Sequence, residues 1–328
     1  MQETEDKKQN EDKPKKSLLK KFFKVLLYLF LILIGLNIAL YLLLSIPAVQ
    51  QKVANFAVNE LKKTLNTEVS IDEVRLKLFN RVSLKGVYVE DQAKDTLLYA
   101  QNLEASLSPW EFVKGNKLAI TGITLEDFLI NVNQQDSISD FNFQFIIDTF
   151  SSTDTTVVDT TKSSLTIVIE DINIKNGRLN YDIQSDSLTP GLFNVSHISV
   201  YDFNANLDLN SIDMDKLDIS LNNLSAKEKS GLEIKSLTGK VYSDKSQMWA
   251  EGLSLFLPES HLVLDKARYN LSTNEFEVST NETEILPKDL VTFLPNLKFL
   301  NDRITLNTSI KGVLPTIAID SINLIYGN

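Results

Sequence analysis

From Val69 almost to the carboxyl end, apolar and polar residues alternate: Val69 and Ile71, then Val74, Leu76 and Leu78, and so on through long stretches. Alternation with period two places successive side chains on opposite faces of a strand, so the body of the chain is predicted to be mainly β. A sharper pattern lies on top of it: apolar, any, apolar, two polar or small residues, apolar, any, apolar. It occurs at Val82, Leu84, Val87 and Val89, at Leu118, Ile120, Ile123 and Leu125, and at Ile167, Ile169, Ile172 and Ile174. Weaker echoes fall at Ile219, Leu221, Leu224 and Ala226, and at Leu232, Ile234 and Leu237. The second and third copies extend together, because Ile130-Asn131-Val132 lines up with Leu179-Asn180-Tyr181 at an offset of 49. One extra residue in mid-strand would turn the second half over, so a β-bulge or tight bend is expected there to keep both halves facing one way. Repeated strands with bent middles predict an elongated, curved, repetitive sheet.

A β-sandwich or jelly roll fits the same period, since its strands also bury one face. Two features favour the elongated sheet: Gly and Pro number only 11 and 8, so tight hairpin turns are expected to be scarce, and the copies resemble one another more than sandwich strands need to. Residues 151–164 form a polar, low-complexity loop between copies. Residues 285–300, with Pro287, Leu290, Phe293, Leu294, Pro295, Leu297, Phe299 and Leu300, predict a short helix that interrupts the sheet.

Before the sheet the period is different. Pro47 can open a helix, and Val49, Val53, Phe56, Ala57, Leu61 and Leu65 recur every three or four residues with polar residues between them. An amphipathic helix is expected over 47–66, its apolar stripe free either to lie on a membrane surface or to cap the end of a sheet. Ahead of it, Val25 to Ile46 is a run of 22 residues without a charge, sixteen of them Leu, Ile, Val or Phe. As a helix it would be about 33 Å long, matching a hydrocarbon core of roughly 30 Å. A cleaved signal peptide is the competing reading, but its apolar region is usually about 7 to 15 residues, and Pro47 stands where a small residue is needed. Lys15, Lys16, Lys20, Lys21 and Lys24 precede the run and only Lys52 follows closely, so the amino terminus is expected in the cytoplasm and the body across the membrane. The expected layout is a basic tail at 1–24, a transmembrane helix at 25–46, the amphipathic helix at 47–66 and the sheet at 67–328.

Charge separates these parts. Residues 1–24 carry net +3 and the remainder net −13, so the exported body offers nothing to nucleic acid. Cysteine is absent, which excludes disulfides, thiolate metal sites and a thiol nucleophile and fits a bacterial envelope protein. Two histidines, His197 and His261, sit in strand-like stretches, and no serine has the surroundings of a catalytic nucleophile. Asp213, Asp215 and Asp218 with Asp208 lack the glycine and the closing glutamate of a calcium loop and read as a solvated acidic turn. No phosphate-binding or dinucleotide motif occurs. The chain therefore reads as a non-enzyme without cofactor or metal. The chemistry that remains is apolar surface: a curled sheet with no second layer would expose an open trough lined by Val82, Leu84, Val87, Val89, Leu118, Ile120, Ile123, Leu125, Ile167, Ile169, Ile172 and Ile174. Water wets such a surface at a cost of about 25 cal/mol per Å², and acyl chains are the natural filling.

The order of elements resembles the amino-terminal part of AsmA-like proteins, in particular the TamB-type translocation and assembly module subunits. The likeness is carried by the apolar segment running into Ile46-Pro47-Ala48-Val49-Gln50, the helix ending Leu61-Lys62-Lys63-Thr64-Leu65, and the strands Val69-Ser70-Ile71 and Val74-Arg75-Leu76. It continues through Leu84-Lys85-Gly86-Val87-Tyr88-Val89-Glu90-Asp91, Leu97-Leu98-Tyr99-Ala100-Gln101-Asn102-Leu103 and Ile172-Asn173-Ile174-Lys175-Asn176-Gly177-Arg178-Leu179-Asn180-Tyr181. The resemblance implies an inner-membrane-anchored periplasmic protein with a taco-like β-groove that holds or conducts phospholipid toward the outer membrane. It also implies an alternative role in outer-membrane protein assembly, with an outer-membrane barrel protein as partner. The chain is much shorter than a typical member, so a groove of this length is not expected to bridge two membranes alone.

Overall fold

The structure is a computed structural model that describes residues 24, 27–32, 35, 42, 46–77, 80–108, 119–151, 169–213, 216–313 and 316–327. The chain divides between Gln50 and Gln51 into two compact units. In the first, residues 24, 27–32, 35 and 42 are helical, and Leu27, Leu29, Phe30, Leu31, Ile32 and Leu42 are exposed. Among the described residues no helix is long and apolar enough to cross a membrane; most of the predicted 25–46 helix lies outside them, as do Lys15, Lys16, Lys20 and Lys21.

Helix α1, Pro47–Leu65, begins where the fixed φ of proline suits a first turn. It carries Lys62 and Lys63 in its last turn, where cations oppose the helix dipole, and ends as Asn66 adopts a left-handed conformation with φ 51°. Its apolar stripe is divided. Leu65 is buried, and its carbonyl accepts a bond from Gln92 Nε2 (3.2 Å), whereas Phe56 is 73% exposed. Ala54 and Leu65 are thus buried while Phe56 faces outward, and the last turn of the helix is tied to Gln92.

The second unit is built on one open, curved, 14-stranded sheet, and strands make up 59% of the described residues. Strands β1 (Val69–Ser70) and β2 (Glu73–Lys77) both pair with β3 (Arg81–Glu90), and β4 (Thr96–Ser108) and β5 (Ala119–Gln134) follow. Then come β6 (Asp171–Ile183), β7 (His197–Asp213), β8 (Lys216–Glu228), β9 (Glu233–Asp244) and β10 (Gln247–Phe256). The sheet ends with β11 (His261–Asn270), β12 (Glu275–Ile285), β13 (Ile304–Val313) and β14 (Thr316–Tyr326). From β3 each strand pairs with the next in sequence, antiparallel everywhere except at β5–β6. In that parallel pair Gly122 lies against Asp171 and Ile130 against Leu179, so the 49-residue offset between the two copies is their hydrogen-bonding register.

Short hairpin turns are frequent, contrary to the expectation from the low glycine content. Aspartate and asparagine do the work: Asp91, Asp244 and Asn270 each accept bonds from backbone N–H groups two to four residues on. Lys94 and Asn274 adopt positive φ where glycine would be the usual choice. The excursion between the parallel strands contains a second helix, α2 (Gln144–Ser151), which the alternation did not reveal, while residues 152–164 of the polar loop lie outside the described residues. Between β12 and β13 the predicted interruption is a strap holding two 3-10 turns, Pro287–Leu290 and Pro295–Leu297.

Bends appear where facing must be kept. Gly86 in β3, Asp127 in β5, Asn176 in β6, Asp202 in β7, Gly252 in β10 and Glu282 in β12 all have φ between 49° and 60°. Leu84 and Val87, three residues apart across Gly86, join the same apolar cluster, so the left-handed residue keeps both halves of the strand on one face. At the second copy the register of β5 shifts between its pairings of Gly122 to Ser106 and of Ile120 to Leu107, and Asp127 adds a second bend. The third copy's expected bend falls at the entry to β6.

Candidate functional site

Directly paired residues in a ladder point to the same side of a sheet, so the registers show which side chains share a face. One row runs Leu84, Leu103, Leu125, Ile174, Ala205, Leu224, Leu237, Leu255 and Leu262, each against the next, from β3 to β11. A second runs Val82, Ala105, Ile123, Ile172, Leu207 and Leu221. Beyond the bends a third joins Val89, Leu98, Ile130, Leu179 and Val200. Between them Val87, Ala100 and Phe128 form the buried centre, with Ile71, Leu84, Leu103, Leu125, Ile130, Ile174, Leu179 and Phe203 packed around it.

This face is a continuous apolar strip laid across the strands. Val87 is buried, whereas Val82, Leu84, Val89, Ile120, Ile123, Leu125, Ile169, Ile172 and Ile174 are half-buried. All described strands belong to one sheet, so the strip has no second sheet over it and a closed sandwich is excluded. Leu118 and Ile167 lie outside the described residues. In the ladder Leu84 shares its row with Leu125 and Ile174, so β3 and β5 are in register at an offset of 41, whereas the first two copies of the spacing are 36 residues apart. β4 itself carries the same spacing at Leu98, Ala100, Leu103 and Ala105. The two alanines disguised a strand that forms part of the floor.

The opposite face is polar. Lys77 and Arg81 bind Glu104, and Glu126 accepts from Lys175 (2.7 Å) and Asn102 (3.0 Å). Asn131, Asn180 and Ser199 form a ladder across three strands at 2.8 Å per step. Along the bends, Asp127 accepts from Asn176, the N–H of Asn176 donates to Asn204 (2.9 Å), and Asn204 donates to the carbonyl of Asp202 (2.8 Å). The Lys175 ammonium, bonded to Glu126, holds that carboxyl below its usual range, and Asn102 adds to the effect. The sheet is thus two-faced, apolar on one side and bonded in polar ladders on the other.

Among the described residues there is no group of three or more His, Asp or Glu placed to hold a metal. Asp208 accepts from Asn222 (3.0 Å) and Asp218 from Asn210 (3.0 Å), while Asp215 lies outside the described residues. His261 Nε2 lies 2.9 Å from Ser254 Oγ, and its ring stacks on Phe256 at 3.9 Å. These contacts bind neighbouring strands together and leave the apolar strip as the surface best suited to a ligand. Set against protein-family models, curated proteins and solved structures, the chain matches none of them.

Proposed function

We propose that the protein is a non-enzymatic envelope-biogenesis component, anchored in a bacterial inner membrane by residues 25–46, whose apolar trough holds or conducts phospholipid on the periplasmic side toward the outer membrane. One observation carries this reading: the apolar row from Leu84 to Leu262 continues unbroken across the strands with no second sheet covering it. A face of that kind is costly to wet and is filled well by acyl chains, which need no fixed hydrogen-bonding partners. The resemblance of residues 20–181 to AsmA-like proteins supports the same role. Native mass spectrometry of the full chain extracted in mild detergent is expected to show bound phospholipid. Leu125→Glu with Ile174→Glu, adjacent in one row, is expected to remove it while leaving the circular dichroism of the sheet intact. A wild-type chain that carries no lipid overturns the proposal.

A second reading, templating of outer-membrane protein strands by β-augmentation, is favoured by β14. Every residue from Thr316 to Tyr326 is exposed, and the strand stands at the end of the sheet's pairing order. Photocrosslinkers at Ala318 and Asn323 that capture polypeptide clients, while those at Leu125 and Ile174 capture no lipid, would favour it over the conduit.

A further inference from the structure

Residues 184–196, between β6 and β7, form a loop that reaches the strap. The ring of Phe193 packs against that of Phe293 at 4.4 Å, and its N–H donates to the carbonyl of Thr292 (2.9 Å). The strap is fixed at its other end, where the carboxylate of Asp289 accepts from Ser260 Oγ (2.8 Å) and from the N–H of Glu259 (2.8 Å). At the root of the loop stands His197, with a side chain only 15% exposed. Its Nδ1 lies 2.6 Å from the Asp182 carboxylate on β6, and its Nε2 lies 3.0 Å from the carbonyl oxygen of Asp186 in the loop. Both neighbours are acceptors. A neutral imidazole has a single N–H and satisfies one of them, leaving a lone pair facing the other, whereas the imidazolium donates to both.

We propose that His197 is a proton-operated latch: as the imidazolium it ties the β6–β7 loop to β6, and loss of one proton gives up the bond to the Asp186 carbonyl and loosens the loop around Leu188, ahead of the Phe193–Phe293 joint to the strap. The inference concerns the loop alone and does not depend on what fills the trough. The charged groups around the ring are Asp182 on β6, Asp186 in the loop, Glu228 at the end of β8 and Lys229 in the β8–β9 turn. All but Asp186 line, with His197, a cleft of about 590 Å³. Glu228 accepts from the N–H groups of Ser199 (3.2 Å) and Ser230 (2.6 Å), and Asp186 accepts from Ser196 Oγ, so Asp182 is the carboxylate committed to the ring. The bond to Asp182, opposed by desolvation and helped by the Asp186 carbonyl, raises the His197 pKa above 6.5. The sign follows: the latch is complete below about pH 6.5 and is lost as pH rises through the raised value.

The absence of cysteine makes a direct test clean. Leu188→Cys, at an exposed position in the loop, carries a spin label in the full chain, and Leu271→Cys in the β11–β12 turn serves as control. Between about pH 5.5 and about pH 9 the label at 188 is expected to change from restricted to mobile while that at 271 stays constant. His197→Gln is expected to leave the 188 label mobile throughout, and Asp182→Asn to move the transition to lower pH. A label at 188 that ignores pH, a response that persists in His197→Gln, or a midpoint unmoved in Asp182→Asn overturns the proposal. With two histidines in the chain, the imidazole resonances report His197 directly, and its titration without any change at 188 overturns it equally. Should His197→Gln fail to fold by circular dichroism, the Asp182→Asn midpoint decides.

Discussion

The ring of Phe128 occupies the space that a side chain on Gly177 would need: a Cβ there would lie 2.3 Å from Cε1 and Cζ of the ring. Gly177 is paired with Phe203 on β7, which packs against the same apolar cluster as Phe128, so the glycine makes room for the ring at the centre of the apolar face. The requirement is one of space, since φ at Gly177 is not positive. Gly177→Ala should therefore destabilise the sheet by about 1–3 kcal/mol through overpacking. Urea unfolding measures it, and adding Phe128→Ala tests the cause. If the clash is real, the two costs combine to less than their sum.

The left-handed residues make a different demand. At Asn176, φ is 50°, a region that asparagine and glycine enter readily and β-branched residues enter at a cost of about 1–2 kcal/mol. Asn176→Gly is expected to lose only the side-chain bond to Asp127, and Asn176→Val to lose that bond and pay the conformational strain as well. Thermal unfolding of the two variants should rank Val well below Gly, and equal midpoints would show that the bend tolerates any residue.

How much of this was written in the sequence depends on which interaction set each feature. Alternation, the repeated spacing and the three-to-four-residue period from Val49 to Leu65 are local, and they announced the strands, the bent middles and the helix from Pro47. The 49-residue offset was visible because β5 and β6 run parallel, so register appears as a constant difference in number. β3 and β5, each antiparallel to β4, also run parallel to each other, and Val82–Ile123 and Leu84–Leu125 keep a constant offset of 41; it is hidden because Leu118 and Ile120 repeat the same spacing five residues earlier. Ala100 and Ala105 concealed the floor strand β4 because a methyl group is a weak signal of facing. The turns were misjudged because Asp91, Asp244, Asn270 and Asn274 took over the task assigned to glycine. The latch at His197 was invisible, since its partners Asp182 and Asp186 are brought to it by the fold of the loop.

On the polar face, acid should act through Glu126. Its carboxyl is held below 4.5 first by the bond from Lys175 and then by that from Asn102. A lowered folded-state value means stability that is present above about pH 4.5 and is lost as pH falls through the folded value. Glu126→Gln keeps an acceptor for Asn102 and removes the charge. Its urea midpoint should change less than that of the wild type between about pH 5 and about pH 3, with the difference shrinking in high salt because the pair is partly exposed.

The last strand carries its own risk. Ile317, Ile319, Ile322, Leu324 and Ile325 are 53–61% exposed, and among the described residues β14 pairs only with β13. A long apolar strand with one free backbone edge is a template for another chain, whether a client or a second copy. A charge there should block such pairing at little cost to the fold, because exposed positions generally tolerate substitution within about 0.5 kcal/mol. Ile319→Lys with Ile322→Lys is therefore expected to reduce concentration-dependent association in sedimentation velocity while leaving the urea midpoint close to wild type. Association that persists unchanged in the double variant would place the sticky surface elsewhere, with the apolar row from Leu84 to Leu262 as the next to test.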